Sequence, residues 1–294
     1  MSTINRSISL PLQTALQAFM AKIAPLNQFA RNFSPDPATR GSAIQVPLIS
    51  GLTATTFASS YTGTGGTLNT VTVNVTKHRI ATIDVTDVQM MNQDILIDNF
   101  APQLGNALAK LVLQDIWGIV LTTNYAEAVV TTASANWTKT QLRTMRLALA
   151  KDNVDTSQCT LVCNEDIFDA LLADTSISYA MYYGGPEAIR EAKIPRLLGC
   201  NILPTNLLPS NAITLQAFLA HPDAIATAFR SLAPVVPDGA YEAFEQATDP
   251  SGISLTSRLL YEPETGKRFW SAECLFGVSA GVTNGLEIAV GKNS

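Results

Sequence analysis

The sequence predicts an α+β protein, and three observations carry that prediction. Val71, Val73 and Val75 alternate strictly with Thr72, Asn74 and Thr76, the period of a half-buried strand. Leu104, Leu108, Leu111, Val112, Ile116, Ile119 and Val120 keep helical spacing over a long segment. Beyond it strands and helices alternate, and the C-terminal part returns to strands joined by turns.

Composition narrows the class. The 294 residues are enough for a buried core and for about two domains. Only 15% are charged, well under the roughly 25% of an average soluble domain. Hydrophobic residues make up 47%, mean hydropathy is +0.17 and the net charge is −5. A surface so poor in charge is most simply hidden against copies of the same chain. No membrane span is expected. The most apolar stretch, Leu111–Leu121, is broken by Gln114 and Asp115 and falls short of the roughly 20 residues a span needs. The N-terminus also lacks the basic flank and apolar run of a signal peptide.

Taken in order, the first 45 residues pair a helical pattern (Leu12, Leu16, Phe19, Met20, Ile23) with breakers at Pro25, Pro35 and Pro37. They read as an arm, because they cannot close a core alone. From Gly41 to Thr76 there is no Asp, Glu, Lys or Arg in 36 residues. Ser50–Thr70 holds seven Thr, three Ser and four Gly. The strand at Val71–Thr76 follows, and a second runs through Ile80, Ile83 and Val85. Together they read as a long β-hairpin with a Gly/Thr tip, and such a hairpin needs something to lie on. The alternative is a disordered linker. Gly63-Thr64-Gly65-Gly66 is not a phosphate loop, since it lacks the required Lys and spacing.

The long helix is expected to be capped at Asp98 or Asn99, with Pro102 in its first turn. Gly105 marks a close contact or a bend, and Asp115 is expected to be paired or at the rim of the stripe. Thr138–Ala150 reads as a helix burying Leu142, Met145 and Leu149. Strand Cys159–Cys163, helix Glu165–Ala173, strand Cys200–Leu203, strand Thr214–Ala220 and an apolar segment at Ile225–Ala228 complete an α/β region with a mixed sheet. Asp249-Pro250-Ser251-Gly252 is a turn, and Ser254–Tyr261 and Lys267–Phe276 are strands joined by Glu262–Gly266.

The reactive side chains are few. Cys159, Cys163, Cys200 and Cys274 form no disulfide framework and read as apolar core fillers. The only histidines, His78 and His221, lie in no ligand motif. Residues 1–60 carry Arg6, Lys22, Arg31 and Arg40 against Asp36 alone. Residues 1–150 sum to +3 and residues 151–294 to −8. That basic segment is too weak to neutralise nucleic acid, and ordinary solvated charge explains it equally well.

This order of parts resembles the major capsid (coat) protein of tailed double-stranded-DNA bacteriophages. The stretches that carry the resemblance are Gly41–Asp84 as an extended loop and Asp94-Ile95-Leu96-Ile97-Asp98 to Leu121 as a spine helix. Glu187-Ala188-Ile189 through Pro204-Thr205-Asn206 and Ala217-Phe218-Leu219-Ala220-His221-Pro222-Asp223-Ala224 resemble the axial segment and its return. The resemblance implies the coat fold: residues 1–45 an N-terminal arm, 46–85 an extended β-hairpin loop, 86–135 with 240–294 a peripheral domain holding the spine helix, and 136–239 an α/β axial domain. It implies pentamers and hexamers of the chain itself, with the loop over one neighbour and the arm across another. A loop lying on another subunit wants main-chain pairing and Thr/Val/Tyr contact, which accounts for the missing charges.

Candidate inter-subunit contacts on this reading are Arg40, Tyr61, Val71, Val73, Lys77, His78, Arg79 and Asp84. The cations Lys77, His78 and Arg79 are expected to pair with acids of other subunits, and ordinary solvation of a strand edge is the competing view. No catalytic, cofactor-binding or metal-binding residue and no cofactor is expected. The hairpin starts too early to leave room for an internal scaffold segment, so a separate scaffolding protein is expected, with a portal protein and a decoration protein as further partners. The acidic body implies enclosed double-stranded DNA with weak non-specific contact at most. The implied location is the virion capsid, assembled in the host cytoplasm. An encapsulin-type nanocompartment shell is the near alternative, and a soluble α/β enzyme the alternative from another class.

Overall fold

The computed structural model describes residues 9–34, 43–50, 67–86, 96–174, 194, 196–232 and 242–291. The first helix, α1 (Ser9–Ile23), is followed by a single turn, α2 (Leu26–Phe29), and a two-residue strand, β1 (Arg31–Asn32). Then come β2 (Ala43–Ser50), β3 (Thr67–Asn74), β4 (Lys77–Thr86) and the long helix α3 (Leu96–Trp117). The middle of the chain holds α4 (Lys139–Lys151), β5 (Thr160–Cys163), α5 (Glu165–Ala173), β6 (Arg196–Leu197), β7 (Cys200–Pro204) and β8 (Leu215–Ala220). Strands β9 (Ile225–Arg230), β10 (Ala243–Thr248), β11 (Ser254–Glu262), β12 (Lys267–Ala280) and β13 (Leu286–Val290) close it. The mixture of helix and sheet is the expected α+β class.

Two sheets share the core. In the larger, β12 is the central strand. One edge pairs with β11, which pairs in turn with β10, and farther along with β9 at Leu275–Ala280; the other edge pairs with β4 along Lys267–Phe276. The smaller sheet runs β13-β8-β5-β7-β6, parallel only between β5 and β7. Residue parity on β5 and β8 explains how this sheet serves two cores. Val162 and Phe218 point into a core shared with α1, α3 and the large sheet, while Leu161, Cys163, Ala217 and Leu219 point into a second core under α4 and α5. Strands buried on both faces read as continuous apolar runs, and both do.

Helix α3 has 22 residues, about 33 Å at 1.5 Å per residue. Its buried stripe is Ala101, Leu104, Leu108, Val112 and Ile116. Helix α1 lies along it with Leu12, Ala15, Phe19 and Ile23 buried. The two backbones meet at Gly105, where a Cβ would stand 2.2 Å from the Ala15 carbonyl oxygen. That contact accounts for a residue that costs about 1 kcal/mol in a helix. The helix starts at Leu96, before the expected caps Asp98 and Asn99, so Pro102 lies inside it. It stops at Trp117, before Ile119 and Val120. There the Asn211 amide donates to the carbonyls of Trp117 and Val120, both at 2.9 Å, supplying partners the helix end lacks.

Several other expectations meet the structure closely. Helix α4 buries Leu142, Met145 and Leu149, and Thr138 caps it in a capping box with Gln141. Helix α5 keeps its expected ends, with Asn164 as its cap. All four cysteines are free and buried. Burial pushes the Cys159 and Cys163 thiols up to about 12, so they stay protonated and inert. Strands β2, β10 and β13 were not expected.

The hairpin differs from expectation. Strand β3 pairs with β2 from Ala43↔Asn74 to Ser50↔Thr67, not with the strand that follows it. That strand, β4, joins the large sheet beside β12 instead. Period-two alternation tells which face of a strand is buried but not which strand lies beside it, so the partner could not be read from Ile80, Ile83 and Val85. The expected Gly/Thr tip lies outside the described residues. The helical part of the expected arm belongs to the main core. Leu26 and Phe29 are buried there with α1, and β1 runs parallel to β9 at Arg31↔Ala226.

Candidate subunit-contact surfaces

Among the described residues no group of three or more His, Cys, Asp and Glu could hold a metal ion. His221, Asp223 and Ser251 line one cavity of about 540 Å³, the nearest approach to a nucleophilic constellation. Ser251 Oγ donates to Asp249 at 2.7 Å, and His221 Nδ1 accepts from the Asp223 amide at 3.3 Å. Both are turn-stabilising bonds, and the hydroxyl is aimed at a carboxylate rather than at the imidazole. No described helix is long and apolar enough to cross a membrane. The surface offers further candidates.

The β2–β3 ribbon is its most unusual part. Ile44, Val46, Val73 and Val75 are buried against Ala226, Ala228 and Leu275 on the face of the large sheet turned away from α3. The ribbon is held at this base. A Cβ on Gly277 would stand 2.3 Å from the Asn74 carbonyl oxygen, so the ribbon backbone rests directly on β12. Farther out the two strands pair only with each other among the described residues, which leaves unpaired N–H and C=O groups along both edges. Such edges accept a further strand.

The eight contact candidates separate on this geometry. Arg40 and Tyr61 lie outside the described residues. Val73 is fully buried within its own chain, and Val71 is half-buried in the ribbon opposite Val46. The four polar candidates find partners in the same chain. Arg79 donates to both oxygens of Asp115 through one edge of its guanidinium, Nε and Nη2, the latter at 2.8 Å, and Lys77 Nζ lies 3.8 Å from the same carboxylate. His78 Nε2 is 3.0 Å from Glu273, and Lys267 Nζ donates to Asp84 at 2.8 Å. The hydrogen bond from Lys267 holds the Asp84 carboxyl below its ordinary range, and the bond to Asp115 raises Arg79.

Asp115, expected to be paired or at the rim of its stripe, is thus paired. Arg79→Glu is expected to cost the isolated subunit about 1 kcal/mol, the scale of an exposed pair, with recovery on adding Asp115→Lys. Urea unfolding of the four forms of that cycle checks it, and additive losses would refute the pairing.

Two acids escaped the sequence reading. Glu273 is buried in β12, held by His78, by Ser271 Oγ at 3.1 Å and by Arg258 Nε at 3.4 Å. Glu287 is buried in β13 with Oε2 unpartnered. Burial and the charge of Asp152 push its carboxyl up to about 7. The signal was available in both: a lone acid with apolar residues on either side, Ala272 and Cys274 in β12 and Leu286 and Ile288 in β13.

Comparison with known proteins completes the description. A family model described as phage capsid protein matches residues 66–272. No curated protein matches the chain. Among solved structures the chain is similar to one from Mycobacterium phage Che8, with TM-score 0.60, 14% identity and 85% of each chain covered. The capsid structure of cyanophage P-SCSP1u aligns with TM-score 0.61 and 16% identity, over 87% of this chain and 85% of the other. A virus-like particle from Pyrococcus furiosus aligns with TM-score 0.55 and 12% identity, over 95% and 98%. At these identities the likeness is one of fold.

Proposed function

The chain belongs to the phage capsid protein family, and from that premise we propose how it builds the shell of which it is a structural subunit. Its work is self-assembly rather than catalysis, and its place is the virion capsid. The observation that carries the proposal is the ribbon: seated at its base on its own subunit, free along both edges among the described residues, and continuous with a stretch from Gly41 to Thr76 that holds no charged residue. Such a projection desolvates cheaply, so it is suited to lie on a neighbouring copy by main-chain pairing and Thr/Val contact.

In this reading the ribbon within residues 46–85 reaches a neighbour while β4 stays in its own large sheet, 86–135 with 240–294 form the peripheral body, 136–239 form the axial part and 1–45 the N-terminal segment. Copies close into pentamers and hexamers. Arg40, Tyr61 and Val71 are the contact candidates this reading assigns to a neighbouring copy, whereas Lys77, His78, Arg79 and Asp84 act by holding β4 in place. The acidic body encloses double-stranded DNA without condensing it, since each phosphate contact needs its own cation. Portal, scaffolding and decoration proteins complete the assembly, which takes place in the host cytoplasm.

Electron microscopy of the expressed protein, with and without residues 51–66, tests this. Closed shells, tubes or sheets that disappear on deletion support it. Small monodisperse particles from the complete chain, or unchanged shells from the shortened one, refute it. Nucleic acid rather than a protein cargo inside shells from infected cells separates a phage head from a nanocompartment.

A further inference from the structure

Helices α4 and α5 share the second core, yet their exposed faces carry opposite charge. In α4, Leu142, Met145 and Leu149 turn inward. At 100° per residue, Lys139, Arg143 and Arg146 then fall within about 60° of one another on the outside. All three are exposed, and the helix contains no acid. In α5, Ile167 and Leu171 turn inward, while Glu165, Asp166 and Asp169 are exposed with no base in the helix.

Like charges four residues apart, Lys139/Arg143 and Glu165/Asp169, repel by a few tenths of a kcal/mol each. Glu165 and Asp166 gain something from the helix N-terminus, but Lys139 opposes the dipole at the start of α4. None of these six side chains makes an ion pair among the described residues, and the two helices do not pack along each other. Beside the basic stripe Leu147 is 53% exposed. Arg146 Nε donates to Thr156 Oγ1 at 3.3 Å, and in a chain with only 15% charge two stripes of opposite sign on neighbouring helices, without ion pairs among the described residues, form a matched set.

We propose that the basic stripe of α4 in one subunit seats on the acidic stripe of α5 in a second copy, with Leu147 buried at the contact. The proposal rests on the shell-subunit reading and adds the pairing rule between copies. Complementary stripes on one chain make it self-recognising, and facing like charges disfavour a wrong register. The pairing weakens with salt, because exposed charges are screened beyond about 10 Å at 0.1 M.

Three variants test it: R143E/R146E, E165K/D169K, and the four substitutions combined. All sites are exposed, and circular dichroism and thermal unfolding report whether each variant keeps the fold. Each double reversal is expected to lower shell yield on the order of tenfold or more, since repulsion replaces attraction. The combined variant is expected to recover it, because the stripes have exchanged sign. Mixing the two double variants also restores contact, but only alternately, so any ring they form has an even number of copies. Wild-type yield from either double variant, or a folded combined variant as defective as the doubles, overturns the proposal while leaving the shell reading intact. A wild-type chain that never assembles overturns the shell reading and the proposal with it.

Discussion

Gly277→Val will lift the β2–β3 ribbon off its subunit and abolish shell formation. Gly277 faces Ala228 across β12 and β9, on the strip of sheet that receives the ribbon. Any Cβ there would meet the Asn74 carbonyl oxygen at 2.3 Å, its carbonyl carbon at 2.7 Å and Val75 Cα at 3.0 Å. These are backbone atoms, which cannot swing aside as the end of a side chain can. The ribbon must move, and Ile44, Val46, Val73 and Val75 lose the surface that buries them. A cost of about 3 kcal/mol follows for a strained or displaced packing site. The packing of α1 on α3 is remote from the clash and should persist. The expected result is a folded subunit with a lower denaturation midpoint and no shells by electron microscopy. A variant that melts and assembles like the parent would show that the ribbon is not seated on β12.

Glu287→Gln will stabilise the subunit at alkaline pH and change little in acid. Burial and Asp152 raise the folded carboxyl from its ordinary value of 4.5 to about 7. The folded state therefore holds the proton more tightly than the unfolded chain does. Below pH 4.5 both states are protonated and Glu287 costs nothing extra. Between about 4.5 and 7 the unfolded chain ionises first, and stability falls as pH rises. Above about 7 the buried carboxylate carries the whole penalty, on the order of 3 kcal/mol at 1.36 kcal/mol per pH unit. Glutamine removes the titration and keeps the shape. Denaturant unfolding of the unassembled subunit between pH 4 and 9 should show the variant and the parent together in acid, separating between about 4.5 and 7 and a constant distance apart above that. Parallel curves would refute the assignment.

Much of the architecture was legible because it rests on local periodicity. Leu142, Met145 and Leu149 marked the inner face of α4, the stretch Glu165–Ala173 read as the helix it forms, and Gly105 announced a close contact that proved to be Ala15. The elements missed were those with weaker local signals. Strand β2 alternates Ile44, Val46 and Leu48, but Pro47 interrupts it, and Pro inside a run argues against a strand. In the structure Pro47 sits opposite Thr70 on a ribbon that has no third strand among the described residues, where its missing N–H is tolerated. The charged candidates were visible as residues, but their partners were not. Asp115 is 36 residues from Arg79, and Glu273 is 195 from His78. No spacing rule reaches that far.

By itself the sequence determined the class of the fold, the long helix, the buried cysteines and a surface too poor in charge to face water everywhere. These depend on composition and on periods of two and 3.6 residues, which each segment carries within itself. The tertiary structure alone decided that β3 pairs backward with β2, that β4 joins β12, and that the cations beside the ribbon neutralise acids of their own chain. Those choices depend on which surfaces meet when distant segments pack, because a strand edge and a buried carboxylate accept any partner that geometry delivers.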